Sequence, residues 1–168
     1  MTVAARCTAY VGIGSNLSDP VAQVERALLA LDDLPGTRVE RRSRLYRCPP
    51  WGVLEQPDFV NAAARIDTAL LPHELMRALL ELERRSGRNR DAGERWGPRV
   101  LDLDILEFGG MTIAEPGLCV PHPRLHERAF VLVPLAEIAA ELVIPGRGRV
   151  ADLLTRLDVA ACRALVAA

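Results

Sequence analysis

No lysine occurs in these 168 residues, so all 21 basic side chains other than histidine are arginines. That absence excludes a lysine nucleophile, a Schiff base and the phosphate-binding P-loop, which requires a lysine. Aromatic residues make up only 4 % of the chain, so the few that sit beside polar loops are candidates for ring stacking as well as for core anchoring. Cysteine is sparse and scattered. Cys7, Cys48, Cys119 and Cys162 form no C-x-x-C pair and no Cys/His cluster, which argues against a zinc site or a disulfide framework; Cys48 reads as a small buried residue, with a reactive thiol as the alternative. Charge excess is also missing. A formal net charge of -1 argues against a general nucleic-acid or membrane-surface binder. No apolar run reaches membrane-spanning length and the N-terminus has no signal-peptide core, so a cytoplasmic protein is expected.

A 168-residue chain that is 49 % hydrophobic fits one compact domain over residues 1–168. Residues 8–14 are apolar and partly β-branched. They run into Ser15-Asn16 before a helix opened by Ser18-Asp19-Pro20, with Val21, Val24, Leu28 and Leu31 at helical spacing. Residues 37–48 read as one strand with arginines outward, and 58–68 as another, although the alanines there leave a helix open. Pro72 starts an amphipathic helix that stops near Gly87. A long polar connection over 86–97 leads to a strand at 101–108, followed by a hairpin up to Val120. A helix through Phe130 follows, with Pro134 as a possible break. The order strand, helix, strand, strand, helix, strand predicts an α+β fold, a ferredoxin-like βαββαβ antiparallel sheet with helices packed on it and C-terminal additions.

The chemistry concentrates in Arg95-Trp96-Gly97-Pro98-Arg99-Val100-Leu101-Asp102-Leu103-Asp104-Ile105. In an extended chain Asp102 and Asp104 share one face, their α-carbons roughly 7 Å apart, while Leu101, Leu103 and Ile105 face a core. An acidic strand face alone is ordinary. Beside Arg95 and Arg99 it becomes a candidate for Mg²⁺ together with phosphate, because hard oxygen ligands suit the cation and guanidinium forks suit phosphate oxygens. Arg84, Arg85, Arg88 and Arg90 add to the same basic stretch, where Arg84 and Arg85 fit equally well as a solvated helix end.

Trp96 reads as a core anchor or a ring-stacking residue, and Phe59 and Phe130 are open to the same two readings. Asn61, two residues from Phe59 on one strand face, offers a donor and an acceptor to the amide-like edge of a heterocycle. Gly12-Ile13-Gly14 suggests a dinucleotide fingerprint, but the third glycine is missing, with Leu17 in that region. The glycines are expected to serve close packing or a tight turn. His122, between two prolines, is a candidate phosphate donor or an ordinary loop histidine, whereas His73 and His126 read as surface residues.

Taken together, Gly14-Ser15-Asn16-Leu17, Tyr46-Arg47 with Pro49-Pro50, Gln56-Pro57-Asp58-Phe59, Asn61-Ala62-Ala63, Glu83, Gly87-Arg88, the block from Arg95 to Ile105, Val120-Pro121-His122 and Pro134-Leu135 resemble the 6-hydroxymethyl-7,8-dihydropterin pyrophosphokinases of folate biosynthesis from end to end. The resemblance implies transfer of the β,γ-pyrophosphoryl group of ATP to the pterin hydroxymethyl oxygen, with release of AMP. It implies that Asp102 and Asp104 bind two Mg²⁺ ions, and that Arg88 and Arg99 steady the polyphosphate. Arg90, His122 and Arg128 would be further ATP contacts, with Glu83, Trp96 and Ile105 around the nucleotide or the closed loops. Phe59 and Phe130 would sandwich the pterin, while Asn61 and the segment Cys48, Pro49 and Trp51 read its edge and Trp96 closes over it.

Several positions depart from the family's frequent pattern. Cys48, Trp51 and Phe59 stand where Thr, Leu and Tyr are common, Leu80 replaces a polar residue, and the arginine loop is longer by one residue near Gly93. Asp91 and Ala92 follow Arg90 where a basic residue is frequent. ATP and the hydroxymethyldihydropterin are the expected partners of a monomer. A non-catalytic ferredoxin-like module that binds a small ligand is the alternative, since a fold alone does not fix function.

Overall fold

The structure is a computed structural model that describes residues 5–87 and 97–166; Arg88, Arg90, Arg95 and Trp96 lie outside those residues. Strand β1 is Cys7–Ser15. Helix α1, Pro20–Asp32, starts as its sequence predicts, with Pro20 in the first turn and the Asp19 side chain accepting the Ala22 N–H. Strands β2, Thr37–Arg42, and β3, Tyr46–Cys48, follow, then β4, Phe59–Thr68. Helix α2, Pro72–Arg85, is tied at its start by Glu74, whose carboxylate accepts the Leu71 N–H at 2.7 Å. Strand β5, Asp102–Phe108, leads to a hairpin of β6, Ile113–Glu115, and β7, Leu118–Val120. Helix α3 is Ala129–Ala139. A second hairpin, β8 Val143–Ile144 and β9 Gly148–Arg149, precedes helix α4, Val150–Leu154, and strand β10, Arg163–Ala164.

The main sheet is antiparallel, in the order β10-β3-β4-β1-β5, with β2 also paired to β4. Residues 37–48 therefore make two strands where the arginine-rich pattern predicts one. The cause is local. Ser43 donates its N–H to the Ala63 carbonyl at 2.9 Å and takes the Ala63 N–H on its hydroxyl at 2.9 Å, so a side chain stands in for one step of the ladder. Pro134 does not end α3. It is buried within the helix beside Leu132, Leu135 and Ile138, and this packing holds the element together across the missing N–H.

Alternation on β1 divides the molecule into layers. Ala9, Val11 and Ile13 pack on one face with Val24, Leu28 and Leu31 of α1 and Leu75 and Leu79 of α2. Tyr10 packs on the other with Leu132, Leu135 and Ile138 of α3 and Val150 and Leu153 of α4. Helices thus cover both faces of the sheet. Farther along the second face, α3 leaves the sheet bare, and the candidate site lies there. Among the described residues no helix is long and apolar enough to cross a membrane.

Candidate active site

An open cavity lies on the α3 side of the sheet. Its floor is made by three strands. The register sets Gly14 between Asp102 of β5 and Asn61 of β4, and Gly12 between Asp104 and Ala63. Two glycines in alternate positions strip the side chains from the central strand, and this is what hollows the floor. A β-carbon at Gly14 would stand 2.8 Å from Asn61 Oδ1, and one at Gly12 would stand 3.1 Å from Leu106 Cδ2. Close packing is the role expected of these glycines, and clearing the floor of side chains is a second one. The signal was present in the alternation of Gly12 and Gly14 with buried Val11 and Ile13.

One wall carries charge. Asp102 and Asp104 project from β5 on one face while Leu103 and Ile105 are buried behind them. Arg99 Nη1 lies 3.0 Å from Asp102 Oδ2. Asp104's carboxyl is pushed up to about 7, first by burial and then by its neighbours Asp102 and Glu83, which the arginines Arg128 and Arg99 oppose. Two carboxylates on one strand face are hard oxygen donors of the kind a divalent cation such as Mg²⁺ takes, although among the described residues no group of three or more His, Cys, Asp or Glu could hold a metal ion by itself. A cation held by this pair would complete its shell with phosphate oxygens and water, which is the habit of Mg²⁺.

The opposite wall carries rings and an amide. Phe59, Asn61, Pro49, Trp51, Phe130 and Val131 line it, and Arg99, Arg128, Asp102 and Asp104 line the same cavity. Asn61 is buried, and its amide nitrogen has no hydrogen-bond partner among the described residues. An unpaired buried amide is costly, and a ligand edge would relieve it. Arg128, also buried, stacks its guanidinium 4.9 Å from the Trp51 ring centre and 5.5 Å from that of Phe130. Burial holds its pKa below the usual arginine range, while Asp104 and Asp102 act in the other direction. Arg124 stands over Trp51 as well, at 5.5 Å.

Other expected site residues lie off the lining. Cys48 and Ile105 are buried, at 1 % and 2 % exposure. Glu83 is buried on α2, and its carboxylate accepts the Leu103 N–H at 2.9 Å, fastening the edge strand that bears both aspartates. His122 is half-buried. Its Nδ1 accepts the Arg124 N–H at 3.2 Å, which assigns the proton of the neutral ring to Nε2. Burial, with Arg128 close by, pushes its pKa down to about 4, so the ring is neutral at pH 7. Arg88, Arg90 and Trp96, also expected at the site, lie outside the described residues.

A brace that the residue pattern did not reveal holds the site's loops. Asn16 is buried, donates its N–H to the Arg99 carbonyl at 3.0 Å and accepts the Arg99 N–H on Oδ1 at 2.8 Å. Its Nδ2 donates to Gln56 Oε1 and to the Pro57 carbonyl, both at 2.9 Å. One side chain thus joins the end of β1, the loop before β5 and the loop before β4. At the far end of α3, Tyr46 and Arg44 both hydrogen-bond to Glu137, at 2.7 and 2.6 Å, which fixes the helix whose first turn presents Phe130.

Comparison with known proteins converges. Residues 10–140 match the family model described as 7,8-dihydro-6-hydroxymethylpterin-pyrophosphokinase (HPPK). The 2-amino-4-hydroxy-6-hydroxymethyldihydropteridine pyrophosphokinase of Methylorubrum extorquens is 49 % identical over 150 residues, which cover 89 % of this chain and 93 % of that protein. That of Haemophilus influenzae is 44 % identical over 147 residues, covering 88 % of this chain and 91 % of its own. Among solved structures, a Plasmodium falciparum HPPK-DHPS triple mutant superposes with a TM-score of 0.72 at 15 % identity, over 90 % of this chain and 44 % of that one. The chain thus spans under half of that longer protein, and the likeness concerns the fold alone.

Proposed function

The chain belongs to the 7,8-dihydro-6-hydroxymethylpterin-pyrophosphokinase family and is an ATP-dependent pyrophosphokinase of folate biosynthesis, and we propose that it carries out its reaction in the glycine-floored cavity beside Asp102 and Asp104. A non-catalytic module is not favoured by that membership. The strand order β5-β1-β4 with β2 and β3 on β4 supports the ferredoxin-like reading of the sheet, with β8, β9, α4 and β10 as additions. We take residues 1–168 to act as a single domain and as a monomer in the cytoplasm, with no nucleic-acid or membrane partner.

In the proposed reaction the pterin hydroxymethyl oxygen forms a bond to the β-phosphorus of ATP. The bond from that phosphorus to the α,β-bridging oxygen breaks, AMP leaves with the electron pair, and the hydroxyl proton is lost. Asp102 and Asp104 would hold Mg²⁺, two ions in this reading, and the metal would supply charge neutralisation and orientation to the polyphosphate. Arg99, which pairs with Asp102 at 3.0 Å, exchanges that partner for phosphate oxygens and steadies the charge that shifts during transfer. Phe59 and Phe130 bind the flat faces of the pterin, Trp51 and Pro49 close its edge, and the buried Asn61 amide reads its ring atoms. His122, neutral with its proton on Nε2, donates to a phosphate, and Arg128 bridges the ring pocket and the carboxylates. Arg88, Arg90 and Trp96 are proposed as further ATP contacts, the last also closing over the pterin. Glu83, Ile105 and Cys48 support the site from behind its surface.

The observation that carries this reading is that the carboxylate pair shares one cavity with Arg99, Arg128 and the set Phe59, Asn61 and Phe130. The test is product identity. With ATP, Mg²⁺ and the reduced hydroxymethylpterin, the protein should release AMP and a pterin diphosphate ester; ADP with a monophosphate ester would overturn it.

A further inference from the structure

At the sheet edge farthest from β5, two cysteines meet. Strand β10 pairs antiparallel with β3, with Arg163 opposite Arg47 and Ala164 opposite Tyr46. Continuing that register by one residue sets Cys162 opposite Cys48. The Leu165 N–H donates to the Leu45 carbonyl at 2.8 Å, so the Leu45/Leu165 pair and every second pair from it are hydrogen-bonded positions. Cys48/Cys162 falls between them. Consistently, the Cys162 N–H turns away from β3 to the Val159 carbonyl, at 3.1 Å. In non-hydrogen-bonded antiparallel pairs the α-carbons stand about 4.5 Å apart and the side chains approach closely, within the roughly 4.4–6.8 Å that a disulfide spans.

The two thiols differ in a useful way. Cys48 is 1 % exposed, whereas Cys162 is only partly buried. Contact with Cys162 and burial push the Cys48 thiol up, while the Cys48 thiol, as hydrogen-bond partner, draws Cys162 down. The partly exposed Cys162 sulfur is therefore the one a small disulfide can reach, and the buried Cys48 sulfur across the pair is placed to resolve. We propose that Cys48 and Cys162 form a dithiol modification site whose reactant is a small disulfide and whose product is a cross-strand disulfide between β3 and β10.

The exchange balances. The Cys162 thiolate attacks one sulfur of the small disulfide, forms a mixed disulfide and expels the first thiolate. Cys48 then gives up its proton, attacks the Cys162 sulfur and expels the second. Two protein thiols are oxidised by two electrons, and the small disulfide is reduced to two thiols that carry off the protons. Under a reducing poise the pair stays open, which makes it a sensor and not a permanent staple. Cys48 lies opposite Phe59 in the β3–β4 ladder and directly before Pro49, so the bond would tie the C-terminal strand to the ring wall of the cavity.

The test is non-reducing peptide mapping of the full chain after incubation with hydroxyethyl disulfide and alkylation of the remaining thiols. The expected result is a Cys48–Cys162 cross-linked peptide that reductant removes. Cys48→Ser should trap the mixed disulfide on Cys162, and Cys162→Ser should leave Cys48 unmodified. A stable mixed disulfide on Cys162 of the unsubstituted protein without the cross-link, or recovery of both residues as alkylated thiols, would overturn the proposal. The readout is covalent and does not depend on which reaction the cavity performs.

Discussion

At the residue scale, the site depends on side chains that are missing as much as on those present. Gly14 lets Asn61 lean over the floor, and a methyl group there would meet Asn61 Oδ1 at 2.8 Å, closer than real contacts allow. Gly14→Ala should therefore turn the Asn61 amide and raise KM for the pterin about tenfold or more, the scale of one displaced buried hydrogen bond, while KM for ATP stays near its original value. Steady-state kinetics with each substrate varied checks this; equal rises in both KM values would count against Asn61 as the reader of the ring edge. The Asp102 and Asp104 face was legible from strand periodicity, because a period of two admits no other arrangement once the flanking leucines are buried. Cys48 was not legible as part of a pair, since cysteines 114 positions apart in the chain are brought together only by the β3–β10 register.

At the element scale, Asn16 shows how loops rather than strands set the position of Arg99. Its side chain makes three hydrogen bonds, to Gln56, Pro57 and Arg99, and at about 1 kcal/mol each their loss should cost about 3 kcal/mol. Asn16→Ala is expected to lower the urea midpoint accordingly and to cut kcat as the Arg99 backbone loosens; an unchanged midpoint would show that the brace contributes nothing. The strand and helix order was readable from periodicity, caps and prolines. Ser43 hid the break between β2 and β3, because a serine that supplies ladder hydrogen bonds looks like any polar strand residue. Pro134 pointed to a break that burial overrides. The brace itself could not be read from Asn16 alone, whose partners lie 40, 41 and 83 residues away.

At the scale of the whole molecule, the cavity's charge couples stability to metal and pH. Burial, then Asp102 and Glu83, push the Asp104 carboxyl up to about 7 from an ordinary 3.8, so its protonated form is the one the fold favours. The sign follows: this stabilisation is complete below about pH 4 and is lost as pH rises through 7. Without metal, Tm should fall across that window, and Mg²⁺ added at pH 8 should recover it. Asp104→Asn in the absence of Mg²⁺ should melt a few degrees above the unsubstituted protein at pH 8, given roughly 2–4 °C per kcal/mol for a chain somewhat larger than 150 residues. Thermal scans with and without chelator check both, and a lower Tm for the variant would contradict the assignment of strain to this carboxyl. The same substitution site separates stability from function, since a residue held at a cost to the fold is expected to serve the chemistry. The most direct measurement is AMP release from ATP and the hydroxymethylpterin by Asp104→Ala beside the unsubstituted protein at saturating Mg²⁺. Loss of a metal ligand worth several kcal/mol predicts a fall of at least about a thousandfold with the fold intact; near-normal AMP release would contradict the placement of the reaction on this face.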